Sequence, residues 1–114
     1  MSRHDDEVCL RDMLNHSREA VELLGKIDRE GLTHDRVLQL ALTRLIEIVG
    51  EAANRTSINT QQKYNDIPWP QIISMRNRLI HGYDIIDYEL LWDTVAFDLP
   101  ELIKKLEKIL PHKK

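Results

Sequence analysis

The sequence contains few of the residues that build disulfide-rich, zinc-bound or many-stranded proteins. Of its 114 residues, one is cysteine, four are glycine and four are proline. Cys9 can form neither an intrachain disulfide nor a zinc cage, so we expect an ordinary, packed thiol in a reducing cytoplasm. The small number of turn-forming residues argues against a sandwich or barrel of many short strands.

The chain also lacks excess positive charge and long apolar runs. Sixteen Lys and Arg residues against nineteen Asp and Glu give a formal net charge of −3 at pH 7. Any contact with nucleic acid must therefore rest on a local basic patch. The polar start of the chain predicts no signal peptide, and no apolar run approaches the ~20 residues of a membrane span. The sequence predicts a single domain over residues 1–114 that is cytoplasmic and has no membrane contact.

The hydrophobic pattern is helical along nearly the whole chain. Apolar residues at three- and four-residue steps predict one helix over 9–27 and a second over about 34–55, for which Thr33 is a plausible N-cap. Both exceed the average helix length, which favours long antiparallel helices. The polar segment 56–67 predicts a connection or a short irregular turn.

Two further helices are predicted in the C-terminal half. The third begins near Pro70, ends at residue 80 or 81, and is followed by Gly82 in a left-handed conformation. The fourth begins near Asp87, and Pro100 should kink it or split it in two. Four or five helices without a strand define an all-α, up-and-down helical bundle.

Residues 76–83 concentrate polar side chains that can act on a phosphodiester. At about 100° per residue, Asn77 and His81 share a helix face, and Arg78 adjoins it. Arg76 lies about 140° away from His81, so it needs its long side chain, or a second subunit, to meet the imidazole.

RNA can be cleaved without a metal if one group removes the 2′-hydroxyl proton, another stabilises the phosphorane and a third protonates the leaving oxygen. Histidine suits proton transfer, and the planar guanidinium of arginine matches phosphate oxygens. Tyr83 could hydrogen-bond a phosphate or stack on a base. The plainer alternative is that His81 is an ordinary helix-terminal residue and that Arg76 and Arg78 are solvated or paired with acids.

A metal site is a weaker hypothesis for this segment. No histidine or cysteine stands at ligand spacing from His81, and only Asp84 and Asp87 lie near it. We expect Asp84 to be a turn residue and Asp87 an N-cap. No metal and no cofactor are therefore expected.

The pattern Arg76-X4-His81-X-Tyr83 resembles the Arg-X4-His-X-Tyr motif of HepT-like toxins, which are members of the HEPN superfamily. Segments 47–53, 67–69, 91–92 and 98–102 also resemble this family, in the family's order. The resemblance implies a HEPN helical bundle that forms a homodimer, with two motif copies facing each other across a cleft.

The same resemblance implies a metal-independent endoribonuclease, the toxin of a type VII HEPN/MNT toxin–antitoxin system. His81 would be the acid/base residue, Arg76 would stabilise the phosphate, and Asn77 would support them. Arg76 and Arg78 would contact the RNA. The implied partner is an MntA-type nucleotidyltransferase antitoxin that uses ATP to attach AMP to Tyr83, the third motif position.

Several alternatives stay open at this point. The chain could be a non-catalytic HEPN adaptor that binds a nucleotidyltransferase or a nucleotide, although such domains often lose the histidine or arginine kept here. The antitoxin could also act by occlusion alone, without modifying Tyr83. Glu51 could pair with a motif arginine, position the histidine, or be a surface carboxylate. Leu91, Trp69 and Trp92 could line an interface or belong to the core.

Overall fold

The computed structural model of the protein describes residues 3–83 and 85–111. Helices dominate it, and the predicted all-α bundle is confirmed. The helices are α1 (Arg3–Leu24), α2 (Arg29–Thr33), α3 (Arg36–Arg55), α4 (Ile58–Lys63), α5 (Trp69–Ile73), α6 (Met75–Leu79), α7 (Tyr88–Asp93) and α8 (Leu99–Ile109). Within the described residues the strands are β1 (Ile80–His81) and β2 (Ile85–Ile86), which pair antiparallel. The prediction of no strand is therefore wrong.

The two longest helices, α1 and α3, pack along each other and form the centre of the bundle, with α8 against α1 and α5, α6 and α7 against α3. α1 buries Met13, Leu14 and Ala20, at the spacing that the sequence predicts. It ends earlier than the predicted residue 27, because Gly25 adopts a left-handed backbone (φ 52°) and its N–H bonds the Val21 carbonyl at 3.0 Å.

The predicted cap of the second long helix is wrong by two residues. Asp35, and not Thr33, caps α3 by accepting the Leu38 N–H at 2.9 Å. Thr33 is instead the last residue of the short helix α2, where its hydroxyl donates to the Glu30 carbonyl. The stretch before α3 is thus helical itself.

The polar segment after α3 contains a helix in addition to the predicted connection. Ser57 caps α4, and the buried carboxylate of Asp6 accepts both the N–H (2.9 Å) and the hydroxyl of Ser57. It also accepts the Thr60 hydroxyl. Burial by itself raises the pKa of Asp6, but the hydrogen bonds from Ser57 and Thr60 outweigh it, so the pKa is lowered. A residue of the first helix thereby fixes the start of the fourth.

The predicted third helix is divided and ends early. α5 and α6 meet at Ser74, whose hydroxyl donates to the Pro70 carbonyl at 2.9 Å. α6 ends at Leu79, whose carbonyl accepts the Asp87 N–H at 2.8 Å. Gly82 is left-handed (φ 71°) as predicted, but it lies in the β1–β2 turn instead of at a helix end.

The C-terminal helix continues past Pro100 through a change of helical type. Between α7 and α8, residues Thr94–Asp98 form a π-helical turn, and Pro100 lies in the first turn of α8. A wider turn shifts the hydrogen-bond register where proline offers no N–H. The predicted helix is therefore divided into α7 and α8 near Pro100, and the chain stays helical between them.

Large side chains that were open to two interpretations belong mainly to the core. Trp69 and Leu91 are buried, and the Trp69 indole donates to the Tyr64 carbonyl at 3.1 Å. Trp92 is partly buried and donates to the Ile27 carbonyl at 3.0 Å. Cys9 is buried as expected, and burial raises the pKa of its thiol.

No helix within residues 3–83 and 85–111 is both long and apolar enough to span a membrane.

The Asp6 cluster predicts acid sensitivity. The folded-state pKa of Asp6 lies below its unfolded value. The contribution of Asp6 to the free energy of unfolding is therefore complete above the unfolded pKa of about 3.9, and it is lost as the pH falls through the folded pKa. Asp6→Ala should lower the free energy of unfolding at pH 7 by about 1–3 kcal/mol, and less at the acid end. Chemical denaturation at several pH values measures this. Glu22→Gln, an exposed control on α1, should change little, and equal losses for both variants would contradict the assignment.

Candidate active site

The motif side chains lie on a helix end and the hairpin that follows it. Helix α6 carries Arg76, Asn77 and Arg78, while His81 ends β1 and Tyr83 follows in the turn. Because α6 ends at Leu79, the imidazole is not on the helix, and the expected alignment of Asn77 with His81 on one helical face is wrong. The hairpin, and not the helix, sets the direction of the imidazole.

His81 faces a carboxylate that is fixed by the next helix. Its Nε2 atom lies 3.7 Å from Asp87 Oδ2, and its side chain is 64% exposed. Asp87 Oδ1 accepts the Leu90 N–H at 3.0 Å and caps α7, as predicted. The His81–Asp87 separation is that of a charge contact and not of a hydrogen bond. The imidazole ring therefore lies beside a carboxylate and remains open to solvent.

Arg76 contacts a carboxylate of the second long helix. Its Nε atom lies 3.4 Å from Glu47 Oε2. The other oxygen of Glu47 accepts from Arg44 Nη1 at 2.6 Å, and this hydrogen bond raises the pKa of Arg44. One carboxylate therefore lies between two guanidinium groups. Glu51 is 3.7 Å from Arg44, so Glu47 has the contact with a motif arginine that was one hypothesis for Glu51.

Arg78 is directed away from Arg76. Residues two apart on a helix differ by about 200° in direction, and Arg78 Nη2 donates to the Gln71 carbonyl at 2.9 Å. Arg78 also lies close enough to Asp98 to lower that residue's pKa, although burial dominates and leaves the pKa of Asp98 raised. Arg76 and Arg78 thus lie on opposite sides of α6.

A shallow pocket adjoins the Arg76 side of α6. It has a volume of about 250 Å³ and includes the exposed Asn77. Its other lining residues come from α3, α5 and α6: Glu47, Gly50, Glu51, Asn54, Ile73 and Arg76. Asn77 is therefore placed beside Arg76, on the side where Glu47 lies.

Tyr83 stands at the tip of the hairpin with its side chain fully exposed. Gly82 before it has open space around its Cα, so only its left-handed backbone requires glycine. The expected turn residue Asp84 lies outside the described residues. Nothing in the rest of the described fold covers the phenol.

Within residues 3–83 and 85–111, no cluster of three or more His, Cys, Asp or Glu side chains is arranged to hold a metal ion. The charged groups around the motif contact one another instead, His81 with Asp87 and Arg76 with Glu47.

Sequence reasoning missed the two carboxylates that contact the motif. Glu47 is part of the 47–53 segment, but periodicity does not show which of its two glutamates faces α6. Asp87 was predicted as a cap, and its contact with His81 depends on the hairpin. No local signal pointed to either contact.

The helical bundle and its motif segment define a HEPN-type domain. The profile of the family described as Ribonuclease HepT-like matches residues 13–109. The chain belongs to the HepT-like family.

Three curated relatives align over nearly their whole length. "Putative RNase MJ1380" of Methanocaldococcus jannaschii is 34% identical over 94% of this chain and 98% of its own. "Putative RNase TTE0752" of Caldanaerobacter subterraneus is 33% identical over 92% of this chain and 94% of its own. "Probable ribonuclease HepT" of Thermococcus cleftensis is 36% identical over 87% of this chain and 94% of its own length. No solved structure gives a significant match.

The exposure of Tyr83 predicts that its hydroxyl contributes nothing to folding. Tyr83→Phe should change the free energy of unfolding by less than about 0.5 kcal/mol. Trp69→Phe, a matched aromatic change in the core, should cost about 1–3 kcal/mol, because it removes a buried indole and its hydrogen bond to Tyr64. Thermal unfolding compares the two. A large loss in Tyr83→Phe would contradict the exposed position.

Proposed function

We propose that the protein is a metal-independent endoribonuclease and the toxin of a type VII HEPN/MNT toxin–antitoxin system. The observation that carries the proposal is the position of His81 in a chain of the HepT-like family. His81 is exposed to solvent, lies beside Asp87, and follows the helix α6 that carries Arg76. The relatives' names, which call them RNases or ribonucleases, support RNA as the substrate.

The chemistry needs the RNA itself as nucleophile. The 2′-oxygen attacks the neighbouring phosphorus and loses its proton, the bond from phosphorus to the 5′-oxygen breaks, and that oxygen takes up a proton. His81 transfers a proton, and the Asp87 carboxylate lies beside its ring. The products are a 2′,3′-cyclic phosphate, or its hydrolysis product, and a 5′-hydroxyl. Because no water molecule attacks in the first step, a metal-activated water is not required.

Arg76 stabilises the negative charge of the phosphorane. Glu47 contacts the Nε atom of Arg76, so the terminal Nη groups remain available for two phosphate oxygens. Asn77, beside it on α6, orients the phosphate or the attacking ribose. Glu47 positions the guanidinium and limits the motion of a long, exposed side chain.

The proposed active form is a homodimer with the site shared between copies. Supporting it, the exposed face of α3 carries Val37 and Leu40, with exposed fractions of 78% and 49%, before the charged Arg44 and Glu47. Steps of three and four residues place all four on one helix face. A second copy covering the apolar part would bring two Arg76 sites towards each other.

The proposed antitoxin is an MntA-type nucleotidyltransferase that modifies Tyr83. The phenolic oxygen attacks the α-phosphate of ATP, the α–β phosphoanhydride bond breaks, pyrophosphate leaves and the phenolic proton is released. The fully exposed ring of Tyr83 supports access by such an enzyme. The added phosphodiester would place negative charge beside the hairpin where substrate phosphate must approach.

Cleavage of RNA in EDTA tests the nuclease. His81→Ala should reduce the rate by about 10²–10⁴-fold, because proton transfer is lost. Arg76→Ala should reduce it by about 10²–10³-fold, because a charge-stabilising group is lost. His34→Ala and Arg55→Ala, which remove exposed residues of the same types elsewhere, should cleave at the wild-type rate. Wild-type rates in the motif variants would contradict the assigned roles. An inactive but folded wild type would favour the non-catalytic adaptor.

Mixing the two inactive variants tests the shared site. If Arg76 of one copy acts with His81 of the other, dimers of His81→Ala with Arg76→Ala contain one intact site and recover part of the activity. If both residues act within one copy, the mixture stays inactive.

Intact mass after co-production with the nucleotidyltransferase tests the modification. The wild type should gain the mass of one or more adenylyl groups and lose RNA cleavage. Tyr83→Phe should gain no mass, whereas Tyr88→Phe, a partly buried tyrosine on α7, should still be modified. A complex that blocks cleavage without added mass would show inhibition by occlusion.

A further inference from the structure

A second cleft lies on the Arg78 side of α6, away from Arg76. It has a volume of about 350 Å³ and separates α5 and α6 from α8. Its apolar lining combines the exposed Pro68 with the outer edge of the core at Ile72, Met75, Leu99 and Leu102. Its polar lining comprises Gln71, Arg78, Asp98, Glu101 and Lys105. A concave cleft with an apolar floor and a few polar groups is typical of a small-ligand site.

The two cations of this cleft are held by main-chain oxygens. Arg78 Nη2 donates to the Gln71 carbonyl at 2.9 Å, and Lys105 Nζ donates to the Asp66 carbonyl at 2.8 Å. A carbonyl fixes the direction of a cation without cancelling its charge. The guanidinium has five donors and the ammonium three, so both keep donors for an anion.

Asp98 restricts what can occupy the cleft. Burial raises the pKa of its carboxyl, and the nearby Arg78 offsets this only in part. Its carboxyl oxygens accept hydrogen bonds, so the group favours N–H donors over phosphate and carbonyl oxygens. A suitable ligand must therefore bring an N–H donor to Asp98 and negative charge to Arg78 or Lys105. A nucleotide has both.

We propose that this cleft is a base-recognition subsite for single-stranded RNA, which rests on the proposed function and extends it. A base with an exocyclic amino group lies on the apolar floor and donates to Asp98, and its phosphate is held by Arg78 and Lys105. Cytosine presents an amino group where uracil presents the O4 carbonyl. Asp98 accepts the first and repels the second.

The subsite acts on the choice of cleavage position and not on the chemistry. Arg76 and Arg78 lie on opposite sides of α6, and a helix with its side chains is about 10–12 Å across. The base in the cleft therefore belongs to a nucleotide removed from the scissile phosphate at Arg76 and His81. Binding there sets the register of the strand over the motif.

Binding of labelled oligocytidine and oligouridine of equal length to His81→Ala protein tests the subsite. Fluorescence anisotropy in EDTA should show oligocytidine bound about tenfold more tightly. Asp98→Asn in the same background should bring the two affinities together, because its amide can donate to uracil O4. Asp5→Asn, the same change at an exposed aspartate of α1 that is not part of the cleft lining, should keep the preference. Lys105→Ala should weaken both oligomers alike.

Equal affinity for the two oligomers in His81→Ala, or a preference that survives Asp98→Asn, would overturn the subsite. The outcome is separable from that of the proposed function. If the wild type cleaves RNA but the cytidine preference is absent, the subsite proposal is wrong and the nuclease proposal stands. If the cytidine preference is present but the wild type does not cleave RNA, the subsite proposal stands and the nuclease proposal is wrong.

Discussion

The close approach of α5 to α3 at Gly50 determines where the motif lies. A Cβ atom on Gly50 would stand 3.1 Å from the Ile72 carbonyl oxygen and 3.3 Å from that of Ile73. Any larger residue would push the two helices apart, so the absence of a side chain sets their separation. α6 follows α5 directly, and Arg76 is thereby brought to Glu47, which lies one turn before Gly50. The position of Arg76 thus depends on a backbone contact.

Asp87 connects the fold to the proposed chemistry in a second way. Its N–H bonds the Leu79 carbonyl and ends α6, while its carboxylate caps α7 and faces His81. A single residue therefore closes one helix, opens the next and supplies charge to the imidazole. A substitution of Asp87 would therefore affect both the end of α6 and the surroundings of His81. This coupling gives the exposed hairpin a defined position on the bundle.

The parts of the fold that could be predicted are those governed by local rules. The long helices α1 and α3 follow the apolar spacing, and the cap at Asp87 and the left-handed Gly82 follow residue preference. The parts that could not be predicted depend on partners far along the chain. The start of α4 uses the carboxylate of Asp6, fifty-one residues before Ser57. The site residues were named from the motif, but their contacts with Glu47 and Asp87 were not.

The sequence by itself determined an all-α domain and a short segment in which arginine, histidine and tyrosine occur together. Periodicity records which face of a helix is buried, and that is a local property. Only the tertiary structure decided that His81 lies on a strand, and that Arg76 and Arg78 contact different neighbours. A helix ends where another backbone group supplies a better hydrogen bond, and a side chain turns towards the charge that packing places beside it. Both depend on residues distant in the chain.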